Sequence, residues 1–62
     1  MKEYLIEATV TRYAETVATA NIRDYIRINF DLKTSYTAHH YRNGYEICDR
    51  TGKEIIYIIT AI

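Results

Sequence analysis

Two adjacent histidines, His39 and His40, and a single cysteine, Cys48, are the residues of this 62-residue chain whose types could do chemistry. Between them lies Asn43-Gly44, a pair that tolerates the positive φ angles of a two-residue type I′ hairpin loop. A loop at 43–44 pairs residue 42 with 45 and 39 with 48, which predicts His39 directly opposite Cys48 on one face. A thiol beside an imidazole is the beginning of a nucleophilic dyad. No third group to orient the histidine and no oxyanion hole is identifiable, so the plainer reading is a small buried thiol beside a hydrogen-bonded histidine. Neighbours on a strand point to opposite faces, so His39 and His40 cannot chelate one metal together. One cysteine and two histidines also fall short of a four-ligand zinc set. No metal and no other cofactor is expected, and the chain reads as a non-enzyme.

The aromatic set is biased: seven tyrosines, one phenylalanine and no tryptophan. Tyrosine supplies large rigid area with a polar tip and is favoured at interfaces, and tyrosine with arginine is typical of binding hot spots. The same hairpin register gathers Tyr41, Arg42 and Tyr45 at one end of a sheet, with Tyr36 further along. With Arg50 they form the predicted interaction surface. The alternative occupant is a nucleic acid, with Tyr36, Tyr41 and Tyr45 stacking on bases and Arg42, Arg50 and Lys53 on phosphates. Eight basic and eight acidic side chains cancel and are spread along the chain. No basic block exists to neutralise phosphates, so nucleic acid is not the favoured partner.

The elements that must position these residues follow from periodicity. Tyr4, Ile6, Ala8 and Val10 alternate on one face of a first strand, and Thr16–Ala20 forms a short second strand returning beside it. Asn21 is a good N-cap, and Asp24 three residues on can accept from its backbone amide. Ile22, Tyr25, Ile26 and Phe30 then fall at helical spacing, which predicts a helix over 22–31. Ile26, Ile28, Phe30 and Leu32 also alternate strictly, so an all-β meander is the rival. Asn43-Gly44 and Thr51-Gly52 are turns, the second with glycine in a left-handed conformation. They delimit strands at 36–42, 45–49 and 54–61. The expected architecture is α+β, a small antiparallel sheet of four to five strands with one helix, in a single domain over 1–62.

A chain this short buries only about 60% of its unfolded surface and gains from help. Cys48 has no partner for an intramolecular disulfide, which leaves self-association. The last strand, Glu54 to Ile62, is apolar on both faces, as central or doubly covered strands are. On an edge it would be an aggregation hazard, so a homo-oligomer through the C-terminal strand, or burial against another protein, is expected. No apolar run spans a bilayer and Glu7 interrupts any signal-like start, so no membrane is involved. With a free cysteine, this places the chain in the cytoplasm.

The succession "EYLIEATVT…TVATANIRDYI", followed by the terminal hairpin "YEICDRTGKEIIYI", resembles small phage- and mobile-element-borne α+β proteins, among them anti-CRISPR proteins. The resemblance is one of architecture across most of the chain, with no shared motif. It implies a cytoplasmic protein that binds and obstructs a host defence complex stoichiometrically. The expected function is therefore a small protein-binding module acting as an inhibitor, with a nucleic-acid binder as the alternative.

Overall fold

The computed structural model describes residues 1–62. Its elements are β1 (Lys2–Ala8), β2 (Ala14–Thr19), α1 (Ile22–Asn29), β3 (Tyr36–Tyr41), β4 (Gly44–Asp49) and β5 (Ile55–Ala61). The strands form one antiparallel sheet in the order β2-β1-β5-β4-β3. This is the α+β arrangement expected from the sequence, with five strands and one helix; the all-β meander is not adopted.

Alternation along β1 turns Tyr4 and Ile6 toward the helix, where they are 9% and 2% exposed. The apolar face does not continue to Val10, which is exposed. The ladder stops because β5 is irregular: Ile47 pairs with Tyr57 but Cys48 with Ile55, leaving Ile56 as an extra residue. The Ile56 carbonyl accepts from the Thr9 amide at 2.9 Å, and the Ala8 amide donates to the Tyr13 carbonyl at 3.0 Å. Residues 9–13 are thereby closed into the β1–β2 connection.

The helix starts where its cap predicts. Asn21 is extended (φ −144°) and its side chain accepts from the Asp24 amide at 3.2 Å. The reciprocal bond differs from the expectation, because the Asn21 amide donates to the Thr19 hydroxyl at 3.2 Å. Asp24 instead pairs with Arg27 one turn on, an exposed ion pair worth a few tenths of a kcal/mol at ~0.3–0.5. The helix ends at Asn29, two residues earlier than predicted, and Phe30 caps it with extended backbone. Helical spacing decides the fate of the alternating apolar residues. Ile26 is 2% exposed, Ile22, Tyr25 and Phe30 are half-buried against the core, and Ile28 points to solvent. Phe30 meets Tyr36 and Tyr57 in edge and tilted contacts with ring centroids 5.7 and 5.3 Å apart.

The β3–β4 hairpin is built one residue away from its predicted register. Tyr41 pairs with Gly44, so the loop is Arg42-Asn43 and the positive φ (46°) falls on Arg42. Gly44 belongs to the strand. A Cβ there would penetrate the Ile59 carbonyl oxygen and lie 2.7 Å from its carbon and 3.1 Å from Thr60 Cα. The glycine thus serves close approach of two backbones rather than turn geometry. The strained residue is the arginine, since a left-handed conformation costs an L-residue about 1–2 kcal/mol. Arg42→Gly is expected to raise stability by about 0.5 kcal/mol, and Arg42→Val to lower it by about 1–2 kcal/mol. Urea unfolding of the two variants measures both, and a Val variant as stable as the parent would remove the strain argument.

The second turn matches its prediction, with Gly52 at φ 78°. Asp49 organises it: one carboxylate oxygen accepts from the Thr51 hydroxyl at 2.7 Å and from the Thr51 and Lys53 amides at 3.0 and 3.1 Å. The Thr51 hydroxyl foremost, and these amides, hold the Asp49 pKa below the usual carboxylate range.

The doubly apolar β5 lies at the centre of the sheet, bonded to β1 on one side and β4 on the other. Both of its hydrogen-bonding edges are therefore used within the chain. Its helix-side residues Tyr57 and Ile59 meet the core, and the face away from the helix carries Ile58 beside Leu5, both half-buried. Along the row through Ile58, its neighbours are Glu7 on β1 and Glu46 on β4.

Candidate interaction site

The new register redistributes the residues that could do chemistry. His39 now faces Glu46, and Cys48 faces Thr37, so the predicted His39–Cys48 opposition is not formed. The β4–β5 turn folds over this end of the open face: a Cβ on Gly52 would stand 3.5 Å from His39 Nε2 and 3.7 Å from Thr37 Oγ1. Under that turn Cys48 is 3% exposed. Burial, then the charges of Glu46 and Asp49, push its thiol pKa up, the opposite of what a nucleophile needs. A thiol-specific reagent is expected to label the folded protein on the order of 100-fold more slowly than the urea-unfolded chain. Equal rates would show that the turn does not cover the sulfur. No three His, Cys, Asp or Glu side chains come together at metal-binding spacing.

The two histidines do point to opposite faces. His40 turns to the helix side, where its ring meets Tyr45, its cross-strand partner, edge-on at 5.2 Å. The Tyr45 hydroxyl in turn accepts from Arg23 Nε at 3.1 Å, a bond that raises the Arg23 pKa further above its already high value. Arg42 lies over the Tyr41 ring, 5.2 Å from its centroid.

Two shallow hollows flank the end of this hairpin, and both include Arg42, Asn43 and Gly44. The one on the helix side encloses about 280 Å3 and is completed by Lys2, Tyr4, Ile22, His40, Tyr45 and Ala61. The other, of about 300 Å3, is completed by Tyr41, Ile59 and Thr60. Neither is lined by an aspartate or glutamate. The hairpin end is anchored to the sheet centre, because the Asn43 carbonyl accepts from the Ala61 amide at 2.8 Å.

Of the predicted surface residues, the structure places Tyr41, Arg42 and Tyr45 at one end of the sheet, with Tyr45 on the helix side and Tyr41 on the opposite face. Tyr36 is elsewhere, packed in the core against Phe30 and Tyr57. Arg50 lies in the β4–β5 turn, at the opposite end of the strands from Arg42. Lys2, Tyr4, Arg23 and His40 belong to the site and were not foreseen. Arg23 carried a signal, since a cation in the first turn of a helix opposes the helix dipole and so wants another reason to be there. Lys2 reaches the site only through the pairing of β1 with β5, where Tyr4 stands opposite Ala61.

No family model matches this chain, and neither a curated protein nor a solved structure matches it. No helix is long and apolar enough to cross a membrane.

Proposed function

We propose that the protein is a non-enzymatic binding module that docks on a partner protein through the end of its β3–β4 hairpin. The observation that carries this is charge segregation in a chain of zero net charge. Lys2, Arg23 and Arg42 lie at the same end of the sheet, with Tyr45 on the helix side and Tyr41 on the other face, beside hollows lined by no carboxylate. An arginine is also kept at a backbone position that would suit glycine or asparagine better, the kind of local cost that points to use. Aromatic and arginine side chains on a well-anchored hairpin are the anchors that dominate protein interfaces.

The geometry favours protein over nucleic acid as the partner. A stacking platform needs Tyr36, Tyr41 and Tyr45 on one surface, but Tyr36 is in the core and Tyr45 is engaged by His40 and Arg23. Arg12, Arg50 and Lys53 lie at the far end of the strands, so no continuous basic track is formed. A second copy stacked on the open sheet face would bring Glu7 and Glu46 toward their own equivalents, which disfavours self-association there. Stoichiometric obstruction of a host defence complex in the cytoplasm, as the anti-CRISPR resemblance implies, is one form of this reading.

Affinity capture from host lysate, compared across variants, tests it. The parent and an Arg50→Ala/Lys53→Ala variant should retain the same partner, and Tyr41→Ala/Arg42→Asn should lose it. Capture indifferent to the hairpin variants would overturn the proposal. So would tight, salt-sensitive binding of labelled single strands without any protein partner.

A further inference from the structure

We propose that the helix-side hollow is a built site for one multiply charged oxyanion, a phosphate monoester carried by the protein partner. The inference rests on the docking role proposed above and names what the partner presents there.

Tyr4, Tyr45, Ala61, Lys2, His40 and Arg42 line the hollow. Arg23 reaches the same place through the Tyr45 hydroxyl. Lys2 and Arg42 line the hollow, Arg23 stands beside it at the Tyr45 hydroxyl, and none of the nine lining residues is acidic. The nearest carboxylate along the helix, Asp24, is already paired with Arg27 at 2.7 Å. The cationic side chains around this end of the sheet carry more positive charge than a single carboxylate would compensate. A phosphate monoester carries close to two negative charges at neutral pH and three strong acceptor oxygens, which suits an arginine fork, a lysine point charge and a further donor.

Size points the same way. About 280 Å3, open to solvent, lies at or below the lower end of pockets that bury whole small molecules, about 300 Å3. It admits a single headgroup projecting from something larger. The His40 ring is held by its edge contact with Tyr45, and Asn43 by its bond to Ala61, so two walls of the hollow are in place before a ligand arrives.

Amide chemical-shift titration of the 15N-labelled protein tests the site with inorganic phosphate, acetate, a phosphoserine peptide and its unphosphorylated form. Phosphate should saturate, moving the amides of residues 2, 22, 23 and 42–45, with acetate at least ~10-fold weaker. The phosphoserine peptide should bind at least as tightly as phosphate, and its unphosphorylated form should not bind. Lys2→Gln and Arg42→Asn, the latter chosen because asparagine tolerates a positive φ, should each weaken phosphate by about 5-fold or more. Arg50→Ala/Lys53→Ala should change nothing. Equal phosphate and acetate affinities, or shifts spread equally over Arg12, Arg50 and Lys53, would overturn the site. Phosphate binding with a peptide no tighter than its unphosphorylated form, or weaker than an oligonucleotide, would overturn the protein-borne source. Partner capture that survives Lys2→Gln and the loss of phosphate binding would sink this inference and leave the docking reading intact.

Discussion

Gly44→Ala is expected to lower stability by about 3 kcal/mol or more. The added methyl would overlap the Ile59 carbonyl, and the neighbouring obstacles at 2.7 and 3.1 Å are backbone atoms as well. No side chain can swing aside to make room, so β4 must separate from the central strand at the point where the hairpin begins. Overpacking against movable side chains costs about 1–3 kcal/mol, and an obstacle made of backbone belongs at or above the top of that range. A chain of 62 residues has a total stability of only about 3–9 kcal/mol at ~0.05–0.15 per residue. Gly52→Ala is the internal comparison. Its φ of 78° costs about 1–2 kcal/mol, but its nearest neighbours are side-chain atoms at 3.5 Å and beyond. Urea unfolding should place the Gly44 variant well below the Gly52 variant; a Gly44→Ala protein within 1 kcal/mol of the parent, by the scale of an ordinary surface change, would refute the close approach.

Ile47→Ala is expected to cost about 3–4 kcal/mol, the second large effect. Only seven of the 62 residues are buried, and Ile47, fully inaccessible, sits among Tyr4, Ile6, Ile26 and Ile59 at the centre of that small set. Removing its branched side chain leaves a cavity under the helix, and the loss scales with how little the surroundings can collapse. Neighbouring β-strands are fixed by their ladders on both sides, so collapse is limited. Ile47→Val should cost about 1 kcal/mol, and Ile28→Ala, at 76% exposure, about 0.5 or less. Denaturation midpoints of the three variants provide the order, and an Ile28 change as damaging as the Ile47 change would mean that the helix packs by another face.

Those two residues also mark what local sequence could and could not show. The choice between helix and strand over 22–32 was legible, because Asn21 stands where a cap must and Ile22, Tyr25 and Ile26 recur at helical spacing. The apolar character of both faces of β5 was legible, and it pointed to a central or covered strand and to a partner; that its two edges pair with β1 and β4 was not. The hairpin register was not. Asn-Gly is a turn signal when glycine is needed for φ, but here it is needed for the approach of Ile59, a contact with a strand 15 residues away that no local pattern records. Moving the loop by one residue moved the partner of His39 by two, from Cys48 to Glu46, and dissolved the predicted dyad. The site was half legible for the same reason. Tyr41, Arg42 and Tyr45 are local to one hairpin. Lys2 and Arg23 join them only through the pairing of the first strand with the last and the bond from the helix to Tyr45.

That pairing has a mechanical consequence. β1 and β5 run antiparallel with Tyr4 opposite Ala61, and the Ile62 amide donates to the Glu3 carbonyl at 3.0 Å, so residues 1 and 62 leave the sheet side by side. Until residues 55–61 have been synthesised, β1–β2 and β3–β4 are two separate ribbons with no common sheet, and a lone two-stranded ribbon is marginal in water. One continuous sheet therefore requires residues 55–61 in place. A force drawing residues 1 and 62 apart would load the β1–β5 ladder one hydrogen bond at a time, as a zipper opens, instead of shearing all of them together. The strand that joins the two ribbons is thus the one that a pull on residue 62 would peel away first.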